Sequence, residues 1–157
     1  MRDKATLRAE LLAQLTVALD TARAAHAAAI EGATHPEARA ENDKDTRGLE
    51  QSYLARGQAQ RVAELDAAVA DVTVMTLRPF TRRDPISIGA LVTVSEDDDE
   101  RCYFVAPAGG GNVIGGDVHV VTPSSPLGRA LVGKRVEDAA ELRAGGRVRE
   151  LEITAVA

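Results

Sequence analysis

The hydrophobic period of this chain changes once, and that change divides it. From residue 4 to about residue 70 the large apolar side chains recur every three or four positions. Beyond Arg78-Pro-Phe-Thr-Arg-Arg-Asp-Pro85 they alternate. The first spacing lays side chains on one face of a helix, the second on one face of a strand. The chain is therefore read as α+β. An N-terminal antiparallel coiled-coil hairpin spans 1–76, with its tip at about 32–45, and 77–85 is a linker. A small, mostly antiparallel β-sheet domain with one short helix follows at 86–157.

The first helix is expected over residues 4–31, with Leu7, Leu11, Leu15, Ala18 or Leu19, Ala22 and Ile30 as its stripe. At 1.5 Å per residue it would be about 40 Å long, more than a small compact domain requires. Gly32, Thr34, His35 and Pro36 break it, and Pro36 disfavours helix at the residue before it. The charged run that follows holds no large apolar side chain, which marks a solvated tip. A second helix is expected from about Lys44 to Ala70, carrying Val62, Leu65, Val69 and Val72, with Leu49, Tyr53 or Leu54, and Gln58 upstream. Polar seam positions and Gly57 weaken its middle, so the C-terminal body must help to hold the base.

In the second half, Ile88–Val94, Cys102–Val105, Val118–Val121 and Leu151–Val156 read as strands. The acid-rich stretch Ser95–Arg101 reads as a hairpin loop. Ala108–Gly116 carries five glycines and reads as a flexible loop. Between strands lies Thr122-Pro-Ser-Ser-Pro-Leu-Gly-Arg-Ala-Leu-Val-Gly-Lys134. Ser125 suits an N-cap, Pro126 the first helical position, and Gly133 a left-handed helix end. Leu127, Ala130 and Leu131 share one face. Gly128-Arg-Ala-Leu-Val-Gly-Lys134 imitates a phosphate-binding loop, but Arg135 stands where that motif needs Ser or Thr for Mg²⁺.

The same stretch, from Ser125 to Lys134, resembles the C-terminal signature of the GreA/GreB transcript-cleavage factors, typically Ser-Pro-x-Gly-x-Ala-Leu-Leu-Gly-Lys. Its sequel also matches in order: Glu137-Asp138, where the family usually has Gly-Asp, then Ala140–Arg143, Gly145-Gly146 and Val148–Val156. The resemblance implies an FKBP-like C-terminal half. It implies an accessory factor with no active site or cofactor of its own, which shares the catalytic Mg²⁺ of bacterial RNA polymerase. The globular half would sit on the rim of the polymerase's secondary channel while the hairpin passes down it, as a monomer. Tip acids would then promote hydrolysis of backtracked RNA, carboxylates being the oxygen ligands that Mg²⁺ takes.

The tip departs from the family's Gly-Asp-x-x-Glu-Asn. Aligning the Glu-Asn pair gives Glu41 and Asn42, with Ala38 at the Asp position and Glu37 beside it. Counting back from the second helix pairs Glu41 with Lys44 instead. Either way one acid is lost, and the candidates become Glu41 and Asp43, with Asp45 and Glu37 as substitutes. The competing reading is that these charges only keep a turn solvated. Arg39, Lys44, Arg47, Arg56 and Arg61 place positive charge at and below the tip. In the family a basic patch there contacts nascent RNA, whereas intrahelical pairing with acids such as Glu50 is the structural alternative. Ser125, Pro126 and Leu127 match the family's rim-contacting turn and equally a purely structural cap.

Other classes fit less well. A net charge of −5 is wrong for a protein held to duplex DNA mainly by charge. No apolar run is long enough to span a membrane, and the charged N-terminus is unlike a signal peptide. Cys102 is the sole cysteine, so no internal disulfide exists. All of this predicts a cytoplasmic protein. His26, His35 and His119 are too scattered for a metal site. Tyr53, Tyr103, Phe80 and Phe104 read as packing residues. Two further readings stand beside the leading one. A non-cleaving Gre-like regulator would occupy the channel and modulate or inhibit transcription. An FKBP-like isomerase or chaperone would need an aromatic-lined pocket, against an aromatic content of 3%.

Overall fold

The computed structural model describes residues 2–34 and 47–157. The elements run α1 (Lys4–Thr34), α2 (Arg47–Val74), β1 (Leu91–Glu96), β2 (Asp99–Val105), β3 (Val113–Ile114), β4 (Val118–Val121), α3 (Pro126–Leu131), β5 (Ala139–Ala144) and β6 (Arg147–Val156). A helical hairpin followed by a sheet with one short helix is thus the architecture, as the change of period predicts. Two compact units result. One combines Met1–Ala13 with Ala70–Ala157, and the other is Gln14–Val69. The roots of both long helices therefore belong with the sheet.

In the sheet unit the strand order is β3-β4-β2-β1-β6-β5. All neighbours are antiparallel except β2 and β4, which pair in parallel from Cys102↔Val118 to Val105↔Val121. Alternation alone does not reveal strand direction, and β2–β4 is the one parallel pair in a sheet that is mostly antiparallel, as expected. The β1–β2 turn is tighter than the expected loop. The strands run to Glu96 and from Asp99, and Asp97 and Asp98 both take positive φ, as the two central residues of a type I′ turn must. Gly145 and Gly146 make the same kind of turn between β5 and β6. Strand β1 begins at Leu91 rather than Ile88, which is 40% exposed. One face of the sheet buries Val92, Val94, Tyr103, Val105, Leu151 and Ile153 with Leu131 of α3.

The glycine-rich stretch 108–116 is not a free loop. It contains β3 and packs on the root of α1. Side chains at Gly109 and Gly115 would collide with Leu11 and Leu7, their Cβ atoms falling 2.8 and 2.7 Å from the leucine methyls. Gly115 N–H also donates to Glu10 Oε2 at 2.8 Å. The glycines thus serve close approach to a helix, which a reading of backbone freedom does not anticipate. At the same root, Asp3 caps α1 by accepting from Thr6 N–H at 3.1 Å, and Arg8 donates to the Met75 carbonyl at 3.2 Å.

In Gln14–Val69 the two helices run antiparallel. Arg23 pairs with Asp66 at 3.0 Å, and Gly32 faces Gln51. Leu15, Leu19, Ala22, Ala29 and Leu65 are buried here. Two expectations are corrected. Ile30 is 44% exposed, and Ala29 occupies the seam instead, because Ala29 lies nearly two full helical turns from buried Ala22 and Ile30 overshoots that face. Leu49, Tyr53 and Leu54 are also exposed, while Gln51, Ser52, Ala55 and Gln58 take the half-buried positions of α2. The half-buried positions 51, 55, 58 and 62 of α2 recur every three or four residues and so share one face with Leu65, which leaves the larger side chains of Leu49, Tyr53 and Leu54 off that face.

Candidate functional site

The turn that opens α3 is built around a hydroxyl and a missing side chain. Ser125 has extended backbone geometry, and its Oγ accepts from Gly128 N–H at 3.1 Å. The same hydroxyl donates to the Thr122 carbonyl at 2.8 Å. Pro126 follows at the first helical position, where its lack of an N–H leaves nothing unpaired. Gly128 is buried under this turn, and a Cβ there would lie 1.8 Å from the Thr122 oxygen. No rotation relieves such an overlap with backbone, so the Ser-Pro-x-Gly spacing is a requirement of local packing.

Ser125, Pro126 and Leu127 therefore stand in different situations. The Ser125 hydroxyl is occupied within the turn. Leu127 and Ala130 pack against the sheet core, with Leu131 fully buried beside them. Pro126 is exposed, as are Arg129 and Val132 further along. Gly133 has φ of +86° and donates to the Ile86 carbonyl at 2.8 Å, while Ile86 N–H donates to the Lys134 carbonyl at 2.8 Å. This two-bond clasp fixes the connector to the end of α3. Arg135 Nε adds a bond to the Arg83 carbonyl at 2.8 Å. The turn is thus a rigid surface feature, with Pro126 and Arg129 as its outward groups.

Glu137 stands where a glycine is usual in the resembling family, and its φ is +76°. An L-residue pays steric strain there. The position is held by Glu137 N–H donating to the Ile153 carbonyl at 2.8 Å and by an ion pair of its carboxylate with Arg82 at 2.5 Å.

Of the hairpin candidates, Glu37, Arg39, Glu41, Asp43, Lys44 and Asp45 lie outside the described residues. Arg47 begins α2. Arg56 is exposed, with its guanidinium carbon 5.3 Å from the Tyr53 ring centroid. Arg61 lies 3.9 Å from Glu64. The structural alternative of intrahelical pairing therefore applies to Arg61. Arg56 instead covers an aromatic ring. Tyr53 is 58% exposed and is not a packing residue; its place off the seam is what the sequence reading missed.

The other three aromatics are buried: Phe104 fully, Tyr103 and Phe80 nearly so. Phe80 lies under the Arg78 guanidinium at 3.8 Å and the Lys4 ammonium at 4.7 Å. Burial pushes the Lys4 pKa down, and the nearby Arg78 charge adds to this. Among the described residues, no three His, Cys, Asp or Glu side chains converge as metal ligands. No described helix is long and apolar enough to cross a membrane.

Residues 81–157 match the family described as "Transcription elongation factor, GreA/GreB, C-term". The GreA elongation factors of Brucella canis and Brucella abortus are each 34% identical to this chain over 127 residues, covering 76% of both partners. Among solved structures, the GreA factor homolog 1 (Gfh1) of Thermus thermophilus aligns over 93% of this chain and 94% of its own, at 20% identity and a TM-score of 0.41. The GreA/GreB factor of Nitrosomonas europaea covers 59% of this chain and 78% of its own, at 19% identity and a TM-score of 0.39.

Proposed function

The chain belongs to the GreA/GreB family of transcription elongation factors, and on that premise we propose that it stimulates cleavage of backtracked RNA by bacterial RNA polymerase. In this reading the turn at Ser125–Leu127 docks on the rim of the secondary channel, with Pro126 and Arg129 as the contacting groups. The hairpin passes into the channel as a monomer, and its tip reaches the catalytic centre. The observation that carries the docking half is the α3 turn. Its capped, clasped geometry presents Pro126 at a fixed position, and fixed groups lose little entropy on binding.

At the tip, Glu41 and Asp43 would supply carboxylates to the polymerase's catalytic Mg²⁺, with Asp45 or Glu37 as substitutes. Such hard oxygen ligands suit that ion. Arg39, Lys44, Arg47 and Arg56 would hold RNA phosphates without reading sequence. The chemistry belongs to the polymerase, and this chain contributes ligands and position. A second reading is favoured by one observation, the loss of an acid at Ala38 or Lys44 from the family's tip pattern. There the hairpin occupies the channel without promoting cleavage and modulates or inhibits transcription.

Transcript cleavage in a stalled, backtracked polymerase complex separates the two. Acceleration by the intact chain, lost in Glu41→Ala or Asp43→Ala, is the expected result. Binding with no acceleration would leave the channel-occupying regulator. No binding would end both. An isomerase reading draws little support from the sheet unit: Phe80 is the single aromatic side chain lining the pocket it shares with Leu77 and Pro79, and Tyr103 and Phe104 are buried elsewhere.

A further inference from the structure

We propose that Tyr53, flanked by Arg56 and Gly57 on the solvent face of α2, is a stacking platform for an unpaired base of single-stranded RNA. The proposal rests on the reading of this chain as a factor that meets backtracked RNA, and it adds a site and a ligand chemistry to that reading.

Three observations within Gln14–Val69 carry it. Tyr53 is 58% exposed on a helix whose inward positions are Gln51, Ser52, Ala55, Gln58, Val62 and Leu65. A large ring left in water contributes nothing to the seam. Arg56, one turn on, holds its guanidinium carbon 5.3 Å from the ring centroid. An aromatic face beside a cation is the pairing that binds a base and its phosphate together. Gly57 is the third observation. Glycine in a helix interior costs about 1 kcal/mol relative to alanine, yet a Cβ at Gly57 would meet nothing within 4 Å. Neither close packing nor a left-handed backbone requires glycine there. Residues four apart are neighbours on a helix, so the bare backbone at Gly57 leaves that flank of the Tyr53 ring clear of any side chain.

Ile30, Leu49 and Leu54 are exposed as well, and an apolar protein wall is the competing occupant. The cation decides between them. A protein wall closing over Tyr53 would bury the Arg56 guanidinium without a counter-charge, which is costly. A nucleotide brings its own phosphate. Stacking is also indifferent to base identity, as suits a factor that meets transcripts of any sequence.

The test measures binding of the full chain to RNA polymerase complexes that are either backtracked, with 3′ RNA extruded, or not backtracked. Tyr53→Ala should weaken binding to the backtracked complex roughly tenfold and leave the other unchanged. Gly57→Leu should do the same by covering the ring, while Gly57→Ala and Tyr53→Trp keep the affinity. Equal weakening of both complexes by Tyr53→Ala would place the residue against protein and overturn the proposal. So would no weakening of either. A second measurement needs no polymerase. The chain has no tryptophan, so Tyr53→Trp carries a single indole. Its fluorescence should be quenched by a short oligouridylate, and adding Gly57→Leu should abolish the quenching. Absence of quenching at millimolar oligonucleotide overturns the platform even where polymerase binding holds. Quenching in a chain that fails to bind polymerase keeps the platform and sinks the polymerase reading.

Discussion

In the sheet unit Val92, Val105 and Ile153 are wholly withdrawn from solvent in the cluster that holds Leu131 of α3, and Phe104 is as deeply buried on the opposite face of β2. In Gln14–Val69 the described buried side chains are Leu15, Leu19, Ala22, Ala29 and Leu65, with Gln51, Ser52 and Gln58 half-buried between them. Two helices that pack on each other share one narrow seam, and here a few leucines and alanines interrupted by polar residues give it little apolar area. A sheet surrounded by helix and strand buries more per residue, and hydrophobic stabilisation scales with that area. The two regions therefore differ in construction. The sheet unit holds a surface feature in place, and the hairpin provides length with a thin core. Amide exchange should therefore be slowest in β1, β2 and β6 and fastest in the described α2 residues near Arg47.

Two helical glycines test that contrast, because they sit in opposite surroundings. Gly128→Ala in the sheet unit forces a Cβ to within 1.8 Å of a backbone oxygen. It should destabilise by about 3 kcal/mol or more in urea unfolding, with loss of α3 as its structural sign. Gly57→Ala in the hairpin meets empty space and should stabilise by about 1 kcal/mol. Destabilisation by both would show that the hairpin is packed as tightly as the sheet, against what the burial pattern implies.

A smaller effect concerns acid. The Arg149 guanidinium, donating from Nε at 2.6 Å and also from Nη2, holds the Glu96 carboxyl below its usual range. A carboxyl with a lowered pKa in the folded state stabilises above its unfolded value, and that contribution is lost as pH falls through the folded value. Asp3, Asp84 and Asp117 of the same unit are lowered too, chiefly by hydrogen bonds from Thr6, Thr81 and Arg2 respectively. Thermal melting should thus fall on acidification below about pH 5. Glu96→Gln should lower Tm slightly at neutral pH and show a shallower fall in acid. An unchanged acid limb in that variant would remove the Glu96–Arg149 pair from the account.

Much of this architecture was written in local periodicity. The helices follow from Leu7, Leu11, Leu15 and Leu65 at spacings of three and four. The strands follow from alternation, and the α3 turn from Ser125, Pro126 and Gly133. These signals are local because caps, turns and amphipathic faces depend on residues a few positions apart. The family was legible in the Ser125–Lys134 signature for the same reason, since Gly128 must lie three residues after its cap.

Only the tertiary structure decided the rest. It made β2 and β4 parallel, because strand direction depends on connections that alternation does not encode. It folded 108–116 onto α1, because a glycine needed for close approach looks in sequence like one needed for freedom. It turned Ile30 and Tyr53 outward, because one helix face is chosen by the partner helix, and a stripe one position away satisfies the same period. Residue spacing determined the elements of this protein, while contacts between residues far apart in the chain determined which faces they bury and which they leave for a ligand.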